Sequence, residues 1–184
     1  MTALSLYDIP LQRVTGEMIT LAEYRGQVLL VVNVASKCGL TPQYAGLERL
    51  YATSQQRGLT VLGFPCNDFA AQEPGSEADI QAFCETSYGV RFPLFAKVNI
   101  NSSPRHPLYS ALIAAQPSRQ SSGDAFAQTL AKHNLLPSDE TDVMWNFEKF
   151  LVGRDGAVVA RFAPDMTVEN PLVLAAIESA LSQD

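Results

Sequence analysis

Val28-Leu29-Leu30-Val31-Val32-Asn33-Val34-Ala35 is an apolar, β-branched run of strand length, and Ser36-Lys37-Cys38-Gly39 breaks it. Runs of this kind are buried on both faces of a parallel sheet. Thr41-Pro42 then reads as an N-cap followed by proline at the first helical position. The helix it opens is predicted over 42–57, with Tyr44, Leu47, Leu50 and Tyr51 on one face and Gly58 as its stop. A cysteine in such a turn lies near free backbone N–H groups, the positive end of the helix dipole and the ammonium of Lys37. All three favour the nucleophilic thiolate. Position alone leaves Cys38 open between that role and a small apolar plug, since free cysteine is among the most buried residues.

Outward from this stretch the elements alternate. An N-terminal hairpin is expected within 4–21, around Thr15-Gly16-Glu17. A second buried strand, Leu59 to Phe64, is closed by Pro65, which cannot donate to a ladder. Ser76 with Asp79 resembles a capping box and starts a helix through Ile80, Phe83 and Cys84 to Gly89. Phe92 to Val98 suggests an edge strand, and His106 to Ala115 a short helix. Phe147 to Val152 and Ala157 to Ala163 form a hairpin through Gly153-Arg154-Asp155-Gly156. A last helix, Asn170 to Leu181, directs Leu174, Ile177 and Leu181 inward. The order βαβ, helical excursion, ββα predicts an α/β thioredoxin-like fold: a central mixed β-sheet flanked by helices on both faces.

A chain of 184 residues with 47% apolar residues suits one globular domain over 1–184. The net charge of −6, without any basic stripe, argues against binding nucleic acid. No apolar run reaches membrane-spanning length. Met1-Thr2-Ala3-Leu4 lacks the basic opening of a signal peptide, so the expected location is cytoplasmic. Cys38, Cys66 and Cys84 are too widely spaced for a disulfide framework. His106 and His133 are isolated, so no metal and no cofactor is expected.

Three segments carry a resemblance: Val32 to Gly39, Gly63 to Phe69 with Gln72-Glu73-Pro74-Gly75, and Trp145-Asn146-Phe147-Glu148-Lys149-Phe150. In this order and spacing they resemble the glutathione peroxidase family, most closely its bacterial cysteine-containing branch. The resemblance implies that Cys38 is the peroxidatic nucleophile, a position often held by selenocysteine in animals. It places Gln72, Trp145 and Asn146 in the active site beside it. Asp68 departs from the family, standing where many relatives have glutamine.

The chemistry fits those residue types. A thiolate attacks a peroxide oxygen in line, giving a sulfenic acid and releasing water or an alcohol. Fixed neutral donors aimed at the departing oxygen lower the barrier. A glutamine amide, an indole N–H and an asparagine amide are such donors, and none titrates at physiological pH. Taken singly, Gln72 reads equally as a solvated loop residue, Trp145 as core and Asn146 as a turn cap.

Thioredoxin-using members of the family carry a resolving cysteine at the position of Cys84, which implies a Cys38–Cys84 disulfide and thioredoxin as reductant. The alternatives are a glutathione-dependent one-cysteine cycle and a redox relay to a partner protein. Cys84 shares a helical face with Ile80, so as packing it would have to leave that face before reaching Cys38. Cys66 is read as a packed bystander. The segment 117–142 is the family's long type. In animal relatives it contributes to tetramer contacts, but its different sequence here predicts a monomer or weak oligomer.

Overall fold

The computed structural model describes residues 5–184. The reading of residues 1–4, including the start of the expected hairpin, lies outside that range. The hairpin itself forms from β1 (Pro10–Gln12) and β2 (Met18–Thr20), paired antiparallel around a left-handed Gly16.

Four strands make the central sheet in the order β4-β3-β5-β6. Strand β3 (Val28–Val34) runs parallel to β4 (Leu59–Pro65), in register from Val28↔Leu59 to Val34↔Pro65. On its other side β3 pairs antiparallel with β5 (Lys149–Val152), which pairs antiparallel with β6 (Val158–Phe162). Every residue of β3 and β4 is buried, which requires cover on both faces of the sheet. Each fully buried Val or Leu side chain stabilises by roughly 1.5–3 kcal/mol relative to exposure. Helix α1 (Gln43–Ser54) packs on β4 and also meets α2 (Glu77–Tyr88), while α5 (Pro171–Leu181) packs on β3. The fold is α/β and thioredoxin-like, as the element order predicts.

Local chemistry explains the boundaries. Ser76 Oγ accepts from the Asp79 N–H at 3.2 Å and Asp79 Oδ2 accepts from the Ser76 N–H at 3.0 Å, closing a complete capping box on α2. Gly89, at φ +60°, ends that helix in the left-handed conformation that disfavours side chains with a Cβ. Asn170 caps α5 through Leu172 N–H at 2.9 Å, ahead of Pro171 at the first helical position.

Four expectations need correction. Thr41 is not the N-cap of α1: Pro42 occupies that place, and the Thr41 hydroxyl is bonded elsewhere. The helix predicted to 57 ends at Ser54 and tightens into a 3-10 turn, Gln55–Arg57, before Gly58. No strand forms over 92–98. Pro93 and Pro65 each remove a donor, so Leu94 and Phe95 make only isolated bridges to Gly63 and Arg13. In α5 the inward row is Val173, Ile177 and Leu181, at i, i+4 and i+8, while Leu174 is 40% exposed.

The segment 117–142 contains α4 (Ala125–Lys132) and is anchored at both ends; α3 (Pro107–Ala115) precedes it. Gln120 bonds both to the Arg161 carbonyl and to the Ala163 N–H, extending the sheet beyond β6. Arg119 Nε reaches the buried Glu148 carboxylate at 2.8 Å, and Arg161 reaches its other oxygen at 2.7 Å.

Candidate active site

Cys38 lies just beyond the end of β3, in a turn held by Thr41. The Thr41 hydroxyl donates to the Ala35 carbonyl at 2.8 Å and accepts from the Cys38 N–H at 3.0 Å. The turn brings the Leu40 N–H to 3.3 Å from Cys38 Sγ, a direct donor to the sulfur. Helix α1 begins only at Gln43, so the donor bonded to the sulfur is a turn amide rather than the helix end invoked from the sequence. Lys37 is exposed, and its charge acts on the Glu73 carboxyl.

Gln72 is clamped from two sides. Its carbonyl accepts from the Lys37 N–H at 3.0 Å, tying its loop to the Cys38 turn. Its side-chain Oε1 accepts from Asn146 Nδ2 at 2.9 Å. The amide is thereby oriented, with Nε2 left as its uncommitted donor among the described residues. Asn146 is fully buried. Trp145 is 6% exposed and meets Phe69 edge-on, with ring centroids 5.8 Å apart. The Trp145 carbonyl accepts from Asn33 Nδ2 at 3.0 Å, and the Phe147 N–H bonds the Asn33 carbonyl at 2.6 Å. Asn33 of β3 therefore holds the Trp145–Phe147 segment alongside the strand that leads to Cys38. Phe147 turns the chain at φ +68°, and Lys149 Nζ donates to its carbonyl at 2.6 Å.

Cys84 sits on α2, fully buried, and all three cysteines are free thiols. Burial pushes the Cys84 thiol up to about 11, with Tyr44 opposing the shift. Cys66 is also fully buried, and burial raises its thiol further, the behaviour of a packed side chain. Asp68 staples the loop: its carboxylate accepts from the N–H groups of Ile100, Asn101 and Ser102 and from the Ser102 hydroxyl. Burial works against its ionisation, but those donors hold it below the ordinary aspartate range.

Sequence reasoning missed four residues that support this arrangement. Thr41 was read as a helix cap and Asn33 as one polar member of a buried strand. Asparagine in an otherwise apolar strand was the available signal, because a buried amide needs partners. Glu73, 1% exposed, and Lys149, wholly buried, had only their types to mark them. Burial raises the Glu73 carboxyl, with Ser36, Lys97 and Lys37 opposing, and depresses Lys149 to about 7.

Comparison with known proteins decides the family. The glutathione peroxidase family model matches residues 6–113. The chain belongs to the glutathione peroxidase family. It is 48% identical to the thioredoxin/glutathione peroxidase BtuE of Escherichia coli K12, over 97% of this chain and 98% of that one. It is also 48% identical to the hydroperoxy fatty acid reductase gpx1 of Synechocystis, over 86% of each chain. Among solved structures, that of Trgpx in apo form superposes with a TM-score of 0.71 at 34% identity, covering 98% of both chains. This glutathione peroxidase homologue is an oxidoreductase of the peroxidase class. No helix of the described residues is long and apolar enough to cross a membrane.

Proposed function

We propose that the protein is a cytoplasmic thiol peroxidase that reduces hydrogen peroxide and organic hydroperoxides through Cys38, with thioredoxin closing the cycle. The observation that carries this reading is the Asn146–Gln72 hydrogen bond, which orients a neutral amide donor in a loop tied to the Cys38 turn. The Cys38 thiolate attacks one peroxide oxygen and the O–O bond breaks. Sulfur is oxidised to sulfenic acid, and the departing oxygen takes a proton to leave as water or an alcohol. Gln72 Nε2 and the Trp145 indole N–H stabilise the charge growing on that oxygen, and Asn146 fixes the Gln72 amide.

Cys84 then attacks the sulfenic sulfur, forming a Cys38–Cys84 disulfide and expelling water. Two thiols of reduced thioredoxin return both cysteines to thiols and are themselves oxidised. The printed name of the Escherichia coli relative supports a thiol reductant of this class. The complete burial of Cys84 supports the alternative, in which glutathione reduces the Cys38 sulfenic acid and Cys84 is silent.

Peroxide consumption by wild type and Cys84→Ser, measured with a thioredoxin system and separately with glutathione, separates the two. Loss of thioredoxin-driven turnover in Cys84→Ser supports the two-cysteine cycle, and intact turnover in the folded variant supports the glutathione cycle. A wild-type protein that consumes no peroxide with either reductant overturns both.

A further inference from the structure

Lys149 is wholly buried but closes no ion pair among the described residues. The carboxylate of its neighbour Glu148 is taken by Arg119 at 2.8 Å and Arg161 at 2.7 Å. Glu148, Asp165 and Glu169 act on Lys149 through space alone. Burying a charge without a bonded partner costs stability, and an apolar side chain of similar volume is often the more stable choice. What the lysine does make is two hydrogen bonds to carbonyls, Phe147 at 2.6 Å and Pro164 at 3.1 Å. Burial depresses it to about 7. The neutral amine still carries two N–H groups, one for each carbonyl, so both bonds survive loss of the proton.

Both carbonyls belong to segments that border the site. Phe147 follows Asn146 and sits at φ +68°, a conformation that a side chain with a Cβ adopts only where its surroundings hold it. Its N–H, in the peptide bond that joins it to Asn146, donates to the Asn33 carbonyl of β3 at 2.6 Å. The turn is thus pinned from both sides, by β3 at the N–H and by Lys149 at the carbonyl. The Pro164 carbonyl also accepts from Nε2 of Gln43, the first residue of α1, at 2.8 Å. Tyr44, next in α1, meets the Phe147 ring edge-on at 5.4 Å between centroids. Lys149 works from a rigid base: it opens β5, paired with Val32 of β3 and Phe162 of β6.

We propose that Lys149 is a positioning residue for peroxide reduction, holding the Asn146–Phe147 turn so that Asn146 stays on Gln72, and tying that turn to the start of α1 beyond Cys38. This rests on the peroxidase reading above and adds a residue to it. Lys149 acts through Asn146 rather than on the peroxide. Without it the Phe147 carbonyl loses its donor, the left-handed turn relaxes, and the Asn146 Nδ2 bond to Gln72 Oε1 is lost.

The test follows Cys38 oxidation by hydrogen peroxide in rapid mixing, with melting curves to verify folding. Wild type, Lys149→Met, Lys149→Arg, Asn146→Ala and the Lys149→Met/Asn146→Ala double variant are compared. Lys149→Met should slow the reaction about 10–100-fold, as small misplacements near reacting groups do. In the Asn146→Ala background the same change should cost no more than about 2-fold further, because the residue it acts through is already gone. Lys149→Arg keeps N–H donors on a long side chain and should recover most of the rate. A wild-type rate in Lys149→Met, losses that multiply in the double variant, or an arginine variant as slow as the methionine one would each overturn the assignment. Should Lys149→Met fail to melt cooperatively, amide exchange in wild type decides. A Phe147 N–H that exchanges as slowly as the β3 amides supports the pinned turn, and one that exchanges at surface-loop rates overturns it. A wild-type Cys38 inert to hydrogen peroxide would instead overturn the peroxidase reading itself.

Discussion

Asn146 Nδ2 donates to Gln72 Oε1 at 2.9 Å, so the two amides form one unit rather than two parallel donors. Each therefore acts through the other: Asn146 sets which end of the Gln72 amide is free, and Gln72 presents the N–H.

A coupled pair should be strongly non-additive. Gln72→Ala and Asn146→Ala are each expected to slow Cys38 oxidation on the order of 10–1,000-fold. The double variant should be no slower than the worse single one. Stopped-flow oxidation with hydrogen peroxide measures this, and multiplied losses in the double variant would show that the two act independently.

Cys38→Ser should abolish peroxide reduction with any reductant, because a serine hydroxyl is far too weak a nucleophile toward peroxide. In Cys84→Ser, repeated peroxide exposure should drive Cys38 on to sulfinic acid, since no internal thiol traps the sulfenic form. Intact mass reads both: two oxygens added in the variant, against two hydrogens lost in wild type.

The capping box of α2 bears on the second step. Cys84 is buried on that helix, so its sulfur reaches another partner only when the helix opens. Ser76→Ala removes the cap and should cost α2 about 1 kcal/mol, raising the open population about 5-fold. Disulfide formation after peroxide addition should accelerate accordingly, while the initial oxidation of Cys38 is unchanged. An unaltered disulfide rate would contradict helix opening as the limiting event.

Two buried charges should give opposite pH signatures. Lys149 titrates near 7 in the folded protein and near 10.5 when unfolded, so the unfolded chain binds more protons between those values. Its contribution makes stability rise with pH across that window, and Lys149→Met should lack the rise. Glu73 is raised above the ordinary glutamate value, so here too the folded state favours the neutral form. For a carboxyl this means that stability falls as pH climbs from about 4.5 through the folded value. Glu73→Gln should flatten that fall. Denaturant titrations from pH 4 to 10 test both slopes.

Much of the architecture was legible because it is local. The apolar run of β3, the break at Ser36 to Gly39, the Ser76–Asp79 box and the glycines at 58 and 89 all act over a few residues. The family motifs supplied the candidate residues Cys38, Gln72, Trp145, Asn146 and Cys84, and the geometry links Gln72 to Asn146. What escaped was decided at long range. That Val173 rather than Leu174 of α5 faces inward depends on how the helix rolls onto β3, a matter of packing that periodicity left one residue off. Thr41 was read as a helix cap, whereas its hydroxyl bonds the Ala35 carbonyl, a partner set by the path of the chain around Cys38. The use of Asn33 to hold Trp145 spans more than a hundred residues and has no signature within either segment.

The anchoring of the long segment carries a consequence for how such a chain can change. Arg161 is fully buried, and apart from Glu148 its guanidinium acceptors are the carbonyls of Gln116, Pro117 and Asp142. Glu148, also fully buried, draws on Arg119 as well as Arg161 and accepts from the Met144 N–H, immediately before Trp145. Excising 117–142 would strip a buried guanidinium and a buried carboxylate of partners at once, beside the tryptophan itself. A shorter chain of this kind would leave the two charges mainly with each other, which ties loop length to the identities at 148 and 161.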